Sequence, residues 1–244
     1  MATGAPPADD WFVPADAVTN WSPRPIATGA FGEVFIARYR NRDVAVKQLK
    51  ERIGARELAD FCQEVRVWYQ LDHPHILPLL GACDKDETGG GSLRPFMVSP
   101  FMPRGTLSTY VSDHTPRSEE RLRLLFQVAA GMAYLHSKDI IHGDLKANNI
   151  LLDAGLNAVV TDFGMSKTRN ASSSVTQLAP GTHAGGTVLF MAPEMHDLQR
   201  PSPSTRRTDV YAFGMTVYQV FNDRGAVWVV DDGYLLQTVI GHRS

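Results

Sequence analysis

The chain has 244 residues, 43% of them hydrophobic, so it is long enough for one large domain or for two lobes that share an interface. Its 24 Lys and Arg residues against 26 Asp and Glu residues give a formal charge of -2, which provides no general attraction to nucleic acid or to an anionic membrane. No apolar run approaches the roughly 20 residues of a membrane span, and the N-terminus lacks a signal-peptide pattern. The cytoplasm is therefore the expected compartment.

The first hundred residues predict a small sheet with one helix. Residues 1–21 are rich in Ala, Pro and Asp without any period, which indicates a flexible leader. Apolar residues alternate from Ile26 to Gln48 around a turn at Tyr39 to Asp43, as in two antiparallel strands. Further elements are predicted as a helix at Ala55 to Leu71 and as strands at Ile76 to Ala82 and Phe96 to Phe101.

Beyond Pro103 the hydrophobic period becomes helical. A long buried helix is predicted from Ser118 to Ser137, with Ser118 as its cap and acidic residues in its first turn. A second helix is predicted from Asp209 to Phe221. The segment from Ser172 to Pro203 is rich in Ser, Thr, Gly and Pro, which predicts a mobile loop.

The strongest chemical pattern is the segment from His142 to Asn149, followed by the triplet Asp162 to Gly164. It places two acids and an asparagine, Asp144, Asn149 and Asp162, at spacings that suit the alignment of a hydroxyl, magnesium ions and a nucleoside triphosphate. A turn with two Asn and an Asp is commonly only a turn. The joint occurrence of this turn, the triplet, a strand lysine and Ala192-Pro193-Glu194, all in order, favours the functional interpretation.

A glycine-bearing turn lies between Ile26 and Val34. Glycines such as Gly29 and Gly32 let backbone N–H groups approach phosphate oxygens closely, since a Cβ would block that approach. By itself this turn is equally typical of a phosphate-binding loop and of an ordinary hairpin. Ala27 stands where the phosphate-binding loop that this turn resembles has its first glycine.

A lysine, Lys47, ends the alternating apolar strand from Val44. An ammonium that points toward the interior is costly unless it meets anions, so Lys47 needs partners. Glu64, on the next predicted helix, is the candidate protein partner. The alternative is a solvated lysine that extends from an edge strand.

From residue 22 to about residue 243 these patterns resemble eukaryotic protein kinases. The segments His73 to Ile76, Leu79 to Cys83 and Met102 to Leu107 are similar to the tyrosine kinase-like group, whose members are serine/threonine kinases. Lys146 and Gly186-Thr187 look like the serine/threonine arrangement, and dual specificity is left open. The resemblance implies a protein substrate that offers Ser or Thr hydroxyls and ATP as phosphate donor.

The resemblance also assigns roles to residues. Asp144 would orient or accept the proton of the attacking hydroxyl, Lys146 would lie against the transferred phosphoryl group, and Lys47, paired with Glu64, would bind the α- and β-phosphates. Asn149 and Asp162 would hold Mg²⁺. The residues expected to surround the nucleotide are Ile26, Ala27, Gly29, Phe31, Gly32, Val34, Ala45, Ser99, Pro100, Met102 and Leu151.

The fold implied is the α+β, two-lobed protein kinase fold, with ATP and Mg²⁺ between the lobes. The N-lobe, residues 22–101, would hold a small antiparallel sheet and one helix, and the C-lobe, residues 102–244, would be mainly helical and lack its last helices. Asp231 to Arg243 resembles a helix that further helices normally follow, so exposed apolar surface near Asp209 and an uncompensated Glu194 are expected to cost stability.

Gly143 is a further departure from the family's pattern, because family members with Arg there use it to pair with a phosphate on the activation segment. The absence of this Arg predicts that catalytic activity depends less on phosphorylation of the activation segment.

Two other functions remain open at this point. A pseudokinase would hold nucleotide or partners with little turnover, which Ala27 and the absent helices favour. A small-molecule phosphotransferase with the same fold is disfavoured by the peptide-docking segment Gly186 to Glu194. Oligomeric state and pathway do not follow from the sequence.

Overall fold

The structure, a computed structural model, describes residues 10–29, 32–49, 55–84, 94–163, 189–196 and 202–222. The chain divides into two compact units. The first comprises Met1–His73 with Leu77–Met102, and the second comprises Pro74–Ile76 with Pro103–Ser244.

The first unit is built on a six-stranded antiparallel sheet with one helix, α1 (Ala55–Tyr69). The strand order is β1-β3-β4-β6-β5, and β2 also pairs with β3. The strands are β1 (Val18–Thr19), β2 (Ala27–Thr28), β3 (Gly32–Tyr39), β4 (Arg42–Leu49), β5 (Gly81–Cys83) and β6 (Phe96–Pro100).

The predicted hairpin forms between β3 and β4, because the backbone conformation of its turn matches the twist of the two strands. Arg40 and Asn41, the two residues between β3 and β4, have φ angles of 48° and 61°, and two positive φ angles characterise the tight turns that match twisted strands. The prediction of one strand from Ile76 to Ala82 is wrong in most of its length. Only Gly81–Cys83 forms a strand, and Ile76 instead makes an isolated parallel bridge with Val160 in the second unit.

The expected flexible leader is corrected for residues 10–21. Trp11 and Val13 are 4% and 1% exposed, and Val18 begins the paired strand β1. The indole N–H of Trp21 donates to the backbone oxygen of Val18 at 3.0 Å. The overall Ala, Pro and Asp content hid the few large apolar residues, whose burial offsets the entropy of ordering the segment.

The second unit is mainly helical. Its helices are α2 (Leu107–His114), α3 (Ser118–Ser137) and α4 (Arg206–Phe221), and it carries a two-stranded sheet of β7 (Ile150–Leu152) and β8 (Ala158–Val160). The α+β class, with a curled antiparallel sheet in one unit and helices dominating the other, is confirmed.

Two helix starts differ in detail from the sequence predictions. α3 has the predicted bounds, but Arg117 occupies the cap position and its side chain makes no capping hydrogen bond, so the assignment of Ser118 as cap is wrong. α4 starts at Arg206 because Thr205 and Thr208 form a reciprocal capping box, in which each hydroxyl accepts from the other's backbone N–H. α2 was not predicted, since its eight residues are too short for a clear period.

Several sequence predictions lie outside the described residues: Phe31, Gly164, Gly186-Thr187, most of the Ser172 to Pro203 loop and the helix at Asp231 to Arg243. Across the parts of the chain that the structure describes, no helix is long and apolar enough to cross a membrane.

Glu194 is solvent-exposed in a short 3₁₀ turn, Pro193–His196, so the cost expected for an uncompensated Glu194 does not arise there. Large apolar side chains are exposed on α4: Val210, Tyr211, Tyr218 and Phe221.

Candidate active site

The loop between α3 and β7 brings three of the predicted site residues together. The Nζ atom of Lys146 lies 3.2 and 3.0 Å from the two carboxylate oxygens of Asp144. The amide Nδ2 of Asn149 donates to the Asp144 backbone oxygen at 2.7 Å and to its Oδ2 at 3.1 Å. The Asp144 side chain is only 9% exposed, so both contacts act on a largely desolvated carboxylate. Its position is therefore fixed from two sides.

The backbone of this loop is held by a buried carboxylate on α4. Asp209 accepts the His142 N–H through Oδ2 and the Gly143 N–H through Oδ1, each at 2.9 Å. The Nε2 atom of His136 lies 2.8 Å from the same Oδ2. With a side chain 1% exposed, Asp209 has its charge stabilised by these three donors.

Gly143 adopts a φ of 75°, in the left-handed region that side chains other than glycine disfavour. The Gly143 N–H reaches Asp209 in that conformation. Glycine therefore allows the geometry of the loop, besides lacking the guanidinium of the Arg that other family members have at this position.

His142 links the loop to the Asp162 segment. Its Nδ1 accepts the Asp144 N–H at 3.3 Å, and its ring meets Phe163 edge to face at 6.5 Å between centroids. Its buried Nε2 has no hydrogen-bond partner among the residues that the structure describes. Burial lowers the pKa of His142, although the carboxylates of Asp209, Asp144 and Asp162 oppose this effect. The ring is therefore neutral and acts as a packing group.

Asn149 ends a short 3₁₀ turn, Ala147–Asn149, that leads directly into β7. The Ala147 N–H donates to Gln219 Oε1 on α4 at 3.2 Å, and the Asn149 backbone oxygen accepts the Thr161 N–H at 3.0 Å. Asp162 follows β8 with a φ of 59°, a conformation that Asp tolerates better than most residues. The β7–β8 pair thus sets the positions of both predicted metal ligands.

In the first unit, strand register places the predicted nucleotide-facing residues on one side of the sheet. Val34 pairs with both Ala27 and Lys47, and Ala45 pairs with Ser99. Paired residues share a face, as do residues two apart on one strand. The register therefore aligns these five residues on a common face.

Helix α1 covers that same face. Lys47 is paired with Met97, and Met97 belongs to an apolar cluster with Phe61 and Val65 of α1. Glu64 is half-buried on this helix. Lys47 and Glu64 thus lie on the side of the sheet where the sequence predicts their ion pair.

The two glycines of the predicted nucleotide-binding set, Gly29 and Gly32, lie where β2 leads into β3. The Gly29 N–H donates to the Gly32 backbone oxygen at 2.9 Å. A Cβ on Gly32 would lie 2.4 Å from the backbone oxygen of Gln48, so only glycine fits there. Ile26, at the start of the turn, is 51% exposed.

The remaining predicted residues are divided between the units. Ser99 is 8% exposed in β6, and its hydroxyl lies 3.5 Å from the Ala45 backbone oxygen. Pro100 ends β6, and Met102 follows it half-buried at the end of the first unit. Leu151 is half-buried in β7 of the second unit.

Sequence reasoning missed the residues of α3 and α4 that hold the loop, namely Asp209, Gln219 and His136. Asp209 carried a usable signal, because an Asp near the start of an otherwise apolar helix needs donors if it is buried. Which donors it meets depends on contacts 66 and 67 residues away in the chain.

Comparison with known proteins identifies the class. Residues 22–228 match the family described as protein tyrosine and serine/threonine kinase, so the chain belongs to that family. It is 36% identical over 227 residues to receptor-interacting serine/threonine-protein kinase 3 of Rattus norvegicus, a match that covers 90% of this chain and 44% of the relative. The resemblance to the tyrosine kinase-like group is confirmed.

Two other relatives have similar identity. Serine/threonine/tyrosine-protein kinase HT1 of Arabidopsis thaliana is 34% identical over 202 residues, which is 80% of this chain and 48% of the relative. Dual specificity protein kinase shkA of Dictyostelium discoideum is 34% identical over 200 residues, 80% of this chain and 36% of the relative. The chain thus spans less than half the length of these relatives.

Proposed function

We propose that this chain carries the catalytic activity of a serine/threonine protein kinase, which transfers the γ-phosphate of Mg-ATP to protein hydroxyls. The observation that carries the proposal is the contact of Asp144 with both Lys146 and Asn149. Family membership and the names of the relatives support it. The cytoplasm is the proposed compartment.

Asp144 is the proposed acceptor of the substrate hydroxyl proton. A general base must lie within hydrogen-bond reach of that proton and hold a defined orientation. The contacts from Lys146 and Asn149 restrict rotation of the carboxylate, and the Asp209 network restricts its backbone. Lys146 also supplies positive charge where a phosphoryl group would carry negative charge.

Asn149 and Asp162 are the proposed ligands of Mg²⁺. The Nδ2 group of Asn149 donates to Asp144, which leaves the amide oxygen, the atom that a hard cation prefers, as the candidate ligand. Mg²⁺ is commonly held by one or two carboxylates together with substrate phosphates, so two protein ligands fit. When bound, the ion would neutralise charge on the phosphates.

The sheet face that carries Val34, Ala45 and Lys47 is the proposed nucleotide-binding face. Lys47 would bind the α- and β-phosphates, with Glu64 holding its ammonium, and the apolar side chains of Val34 and Ala45 would contact the purine. Leu151 of the second unit is the proposed third apolar contact. Pro100 lacks an N–H but keeps the carbonyl oxygen that an adenine amino group requires.

Serine and threonine are the proposed acceptors. Lys146, two residues after the base, supports this choice over tyrosine, and its contact with Asp144 places its charge beside the proposed base. The printed names of HT1 and shkA include tyrosine or dual specificity, so a tyrosine-containing substrate belongs in the test.

The test is transfer of radiolabelled phosphate from Mg-ATP to a generic basic protein and to the chain itself. Asp144→Asn and Lys47→Met should each lower transfer at least about 100-fold, the scale expected for loss of a positioned acid–base or charge-stabilising group. Phosphoamino-acid analysis of the product should give phosphoserine and phosphothreonine.

Matched variants control for charge removal alone. Asp113→Asn in α2 and Lys138→Met after α3 change exposed residues and should leave transfer within about twofold of the unchanged chain. Magnesium-dependent ATP binding without any transfer would contradict the proposal and favour a pseudokinase.

A further inference from the structure

A buried arginine, Arg121, joins the start of α3 to the end of α4. It is 5% exposed, its Nε donates to the Pro116 backbone oxygen at 2.8 Å, and its Nη1 donates to the Val220 backbone oxygen at 3.0 Å. Its guanidinium carbon also lies 5.8 Å from the centre of the Phe221 ring. A planar guanidinium suits this place, because its fixed donors can bond two carbonyl oxygens at once. Arg121 therefore connects segments that are 99 residues apart in the chain.

The Val220 oxygen belongs to the last turn of α4, where a helix needs partners from outside. The last four carbonyl oxygens of a helix have no partner within it, and they carry the negative end of its dipole. Within α4, which the structure describes from Arg206 to Phe221, the last turn contains no basic residue. Arg121 supplies both a cation and a donor to this turn from α3. We expect the last turn of α4 to loosen when Arg121 is lost.

That turn carries Gln219, which contacts the loop of Asp144. The Ala147 N–H donates to Gln219 Oε1 at 3.2 Å, and Ala147 is only 1% exposed, so an unpaired N–H there is costly. Ala147 begins the 3₁₀ turn that ends at Asn149, and Asn149 donates through Nδ2 to Asp144. Gln219 precedes Val220 directly in the helix. A shift of the Val220 carbonyl therefore moves the acceptor of the Ala147 N–H.

Packing alone does not fix the Ala147–Gln219 contact. Ala147, Gln219 and Val220 line a small cavity together with Leu107 and Val111 of α2. Side chains beside a cavity lack neighbours on one side, so packing holds them less firmly. Hydrogen bonds therefore contribute more to the position of Gln219 than they would in a fully packed core.

From these contacts we propose that Arg121 is a positioning residue for phosphotransfer, and that it acts on the proposed Mg²⁺ ligand Asn149. Arg121 holds the last turn of α4, Gln219 on that turn holds Ala147, and Ala147 sets the direction in which the 3₁₀ turn presents Asn149. The inference rests on the proposed kinase activity. It extends the support of the metal site to the start of α3.

The test measures phosphate transfer as a function of Mg²⁺ concentration for Arg121→Met, Gln219→Met and the double variant. Methionine keeps an unbranched side chain but removes the guanidinium or the amide oxygen. Loss of a group that directly orients a metal ligand weakens metal binding roughly 10-fold or more. Each single change lies further from the metal and should raise the half-saturating Mg²⁺ concentration about fivefold.

The double variant tests whether the two residues act along one path. In the Gln219→Met background, Arg121→Met should raise the half-saturating Mg²⁺ concentration less than about twofold, since coupled residues are not additive. The same increase in both backgrounds would overturn the proposal. Should Arg121→Met fail to fold, Arg121→Lys takes its place, because lysine keeps the charge but lacks the planar fork that bonds two oxygens.

Arg117→Met is the matched control, because it removes an exposed guanidinium from the cap position of the same helix. It should leave kcat and the half-saturating Mg²⁺ concentration within about twofold of the unchanged chain. A purely structural defect lowers the amount of active enzyme, and so the apparent kcat, without moving the Mg²⁺ dependence. A lower kcat for Arg121→Met with an unchanged Mg²⁺ dependence would therefore contradict the proposal.

Ala147→Pro removes the donor of the Ala147–Gln219 contact. Proline has no N–H, its fixed φ suits the first residue of a 3₁₀ turn, and the preceding Lys146 is extended, with φ -165° and ψ 163°. In this background Arg121→Met should leave the Mg²⁺ dependence within about twofold, because Gln219 no longer acts on the loop. A shift as large as in the unchanged chain would show that Arg121 does not act through this contact.

Hydrogen exchange separates this inference from the proposed function, because it requires neither nucleotide nor metal. Arg121→Met should accelerate exchange of the Ala147 amide more than that of the Val160 amide, which donates to the His75 backbone oxygen at 2.9 Å. Arg117→Met should change neither. An inactive unchanged chain would refute the proposed function, while exchange of the Ala147 amide would still decide whether Arg121 holds the loop. Unchanged exchange of that amide would overturn the inference whatever the activity.

Discussion

The loop that carries Asp144 and helix α1 are held by opposite kinds of contact. The loop is fixed by hydrogen bonds to Asp209, whose side chain is 1% exposed. The described contacts of α1 are mainly apolar, through Phe61, Val65 and Trp11, and they include side-chain hydrogen bonds from Trp68 to the Leu77 backbone oxygen and from Cys62 to Asp84. The loop is held mainly by directional hydrogen bonds, whereas α1 is held mainly by apolar packing.

This difference predicts different responses to change. A buried carboxylate with three donors has few alternative arrangements. Because an altered acceptor leaves donors unsatisfied, stability should fall sharply when that carboxylate is changed. Apolar packing is non-directional and weakens in proportion to the area removed. Asp144 therefore has a fixed position, whereas the packing of α1 should respond in proportion to what fills the cluster.

The largest expected effect comes from Asp209→Asn. The amide keeps the shape but replaces one acceptor oxygen with a donor that faces other N–H groups, so the free energy of unfolding should fall by about 3 kcal/mol. Transfer activity should fall at least about tenfold, since the Asp144 backbone loses its support. Urea unfolding and phosphate transfer measure the two effects.

Asp113→Asn, which changes an exposed acid on α2, is the control and should leave stability within about 0.5 kcal/mol. Equal losses for the two variants would show that the polar contacts of the loop contribute no more than a surface charge.

The next effect is expected from Val65→Ala, which tests the apolar side of the comparison. Val65 is fully buried, so removal of two methyl groups should cost about 1 to 3 kcal/mol through lost burial and a residual cavity. Activity should fall only in part, because the remaining cluster still supports α1. Val67→Ala on the same helix removes a 38% exposed side chain and should have little effect on either quantity.

Gly143→Ala should produce a smaller loss of about 1 to 2 kcal/mol, because its φ of 75° strains any residue with a Cβ. The matched change Gly214→Ala in α4 has the opposite expected sign. A Cβ there meets no atom within 4 Å, and alanine favours a helix by roughly 0.5 to 1 kcal/mol. Thermal melting of both variants gives the comparison, and a stable Gly143→Ala would contradict the strain argument.

The smallest effect is expected from Tyr110→Phe, which removes a polar contact away from the loop. The Tyr110 hydroxyl donates to Glu120 Oε1 at 2.9 Å, and burial, followed by that carboxylate, raises the pKa of Tyr110. The neutral phenol is favoured in the folded state. The contribution of the Tyr110 hydroxyl to stability is therefore present below about pH 10 and is lost as the pH rises through the raised pKa of Tyr110.

The change should lower stability by about 1 kcal/mol at pH 7. The difference from the unchanged chain should shrink above about pH 10 in melting curves recorded across pH. Tyr69→Phe, at a 39% exposed position on α1, serves as the control. A difference that grows with pH would reverse the sign of this prediction.

Local pattern predicted the elements whose periodicity is long and regular. The bounds of α3 and the β3–β4 hairpin followed from residue spacing alone. The strand at Ile76 to Ala82 did not, because a short apolar run does not distinguish a strand from a buried irregular segment. The leader prediction failed for residues 10–21 because average composition concealed Trp11, Val13 and Val18.

The amino-acid sequence by itself determined the family, since Lys47, Asp144, Asn149 and Asp162 occur in a characteristic order along the chain. Only the tertiary structure decided what holds those residues in place. Asp209 and Gln219 act through contacts between distant segments, and hydrogen-bond partners at such separation do not follow from local periodicity.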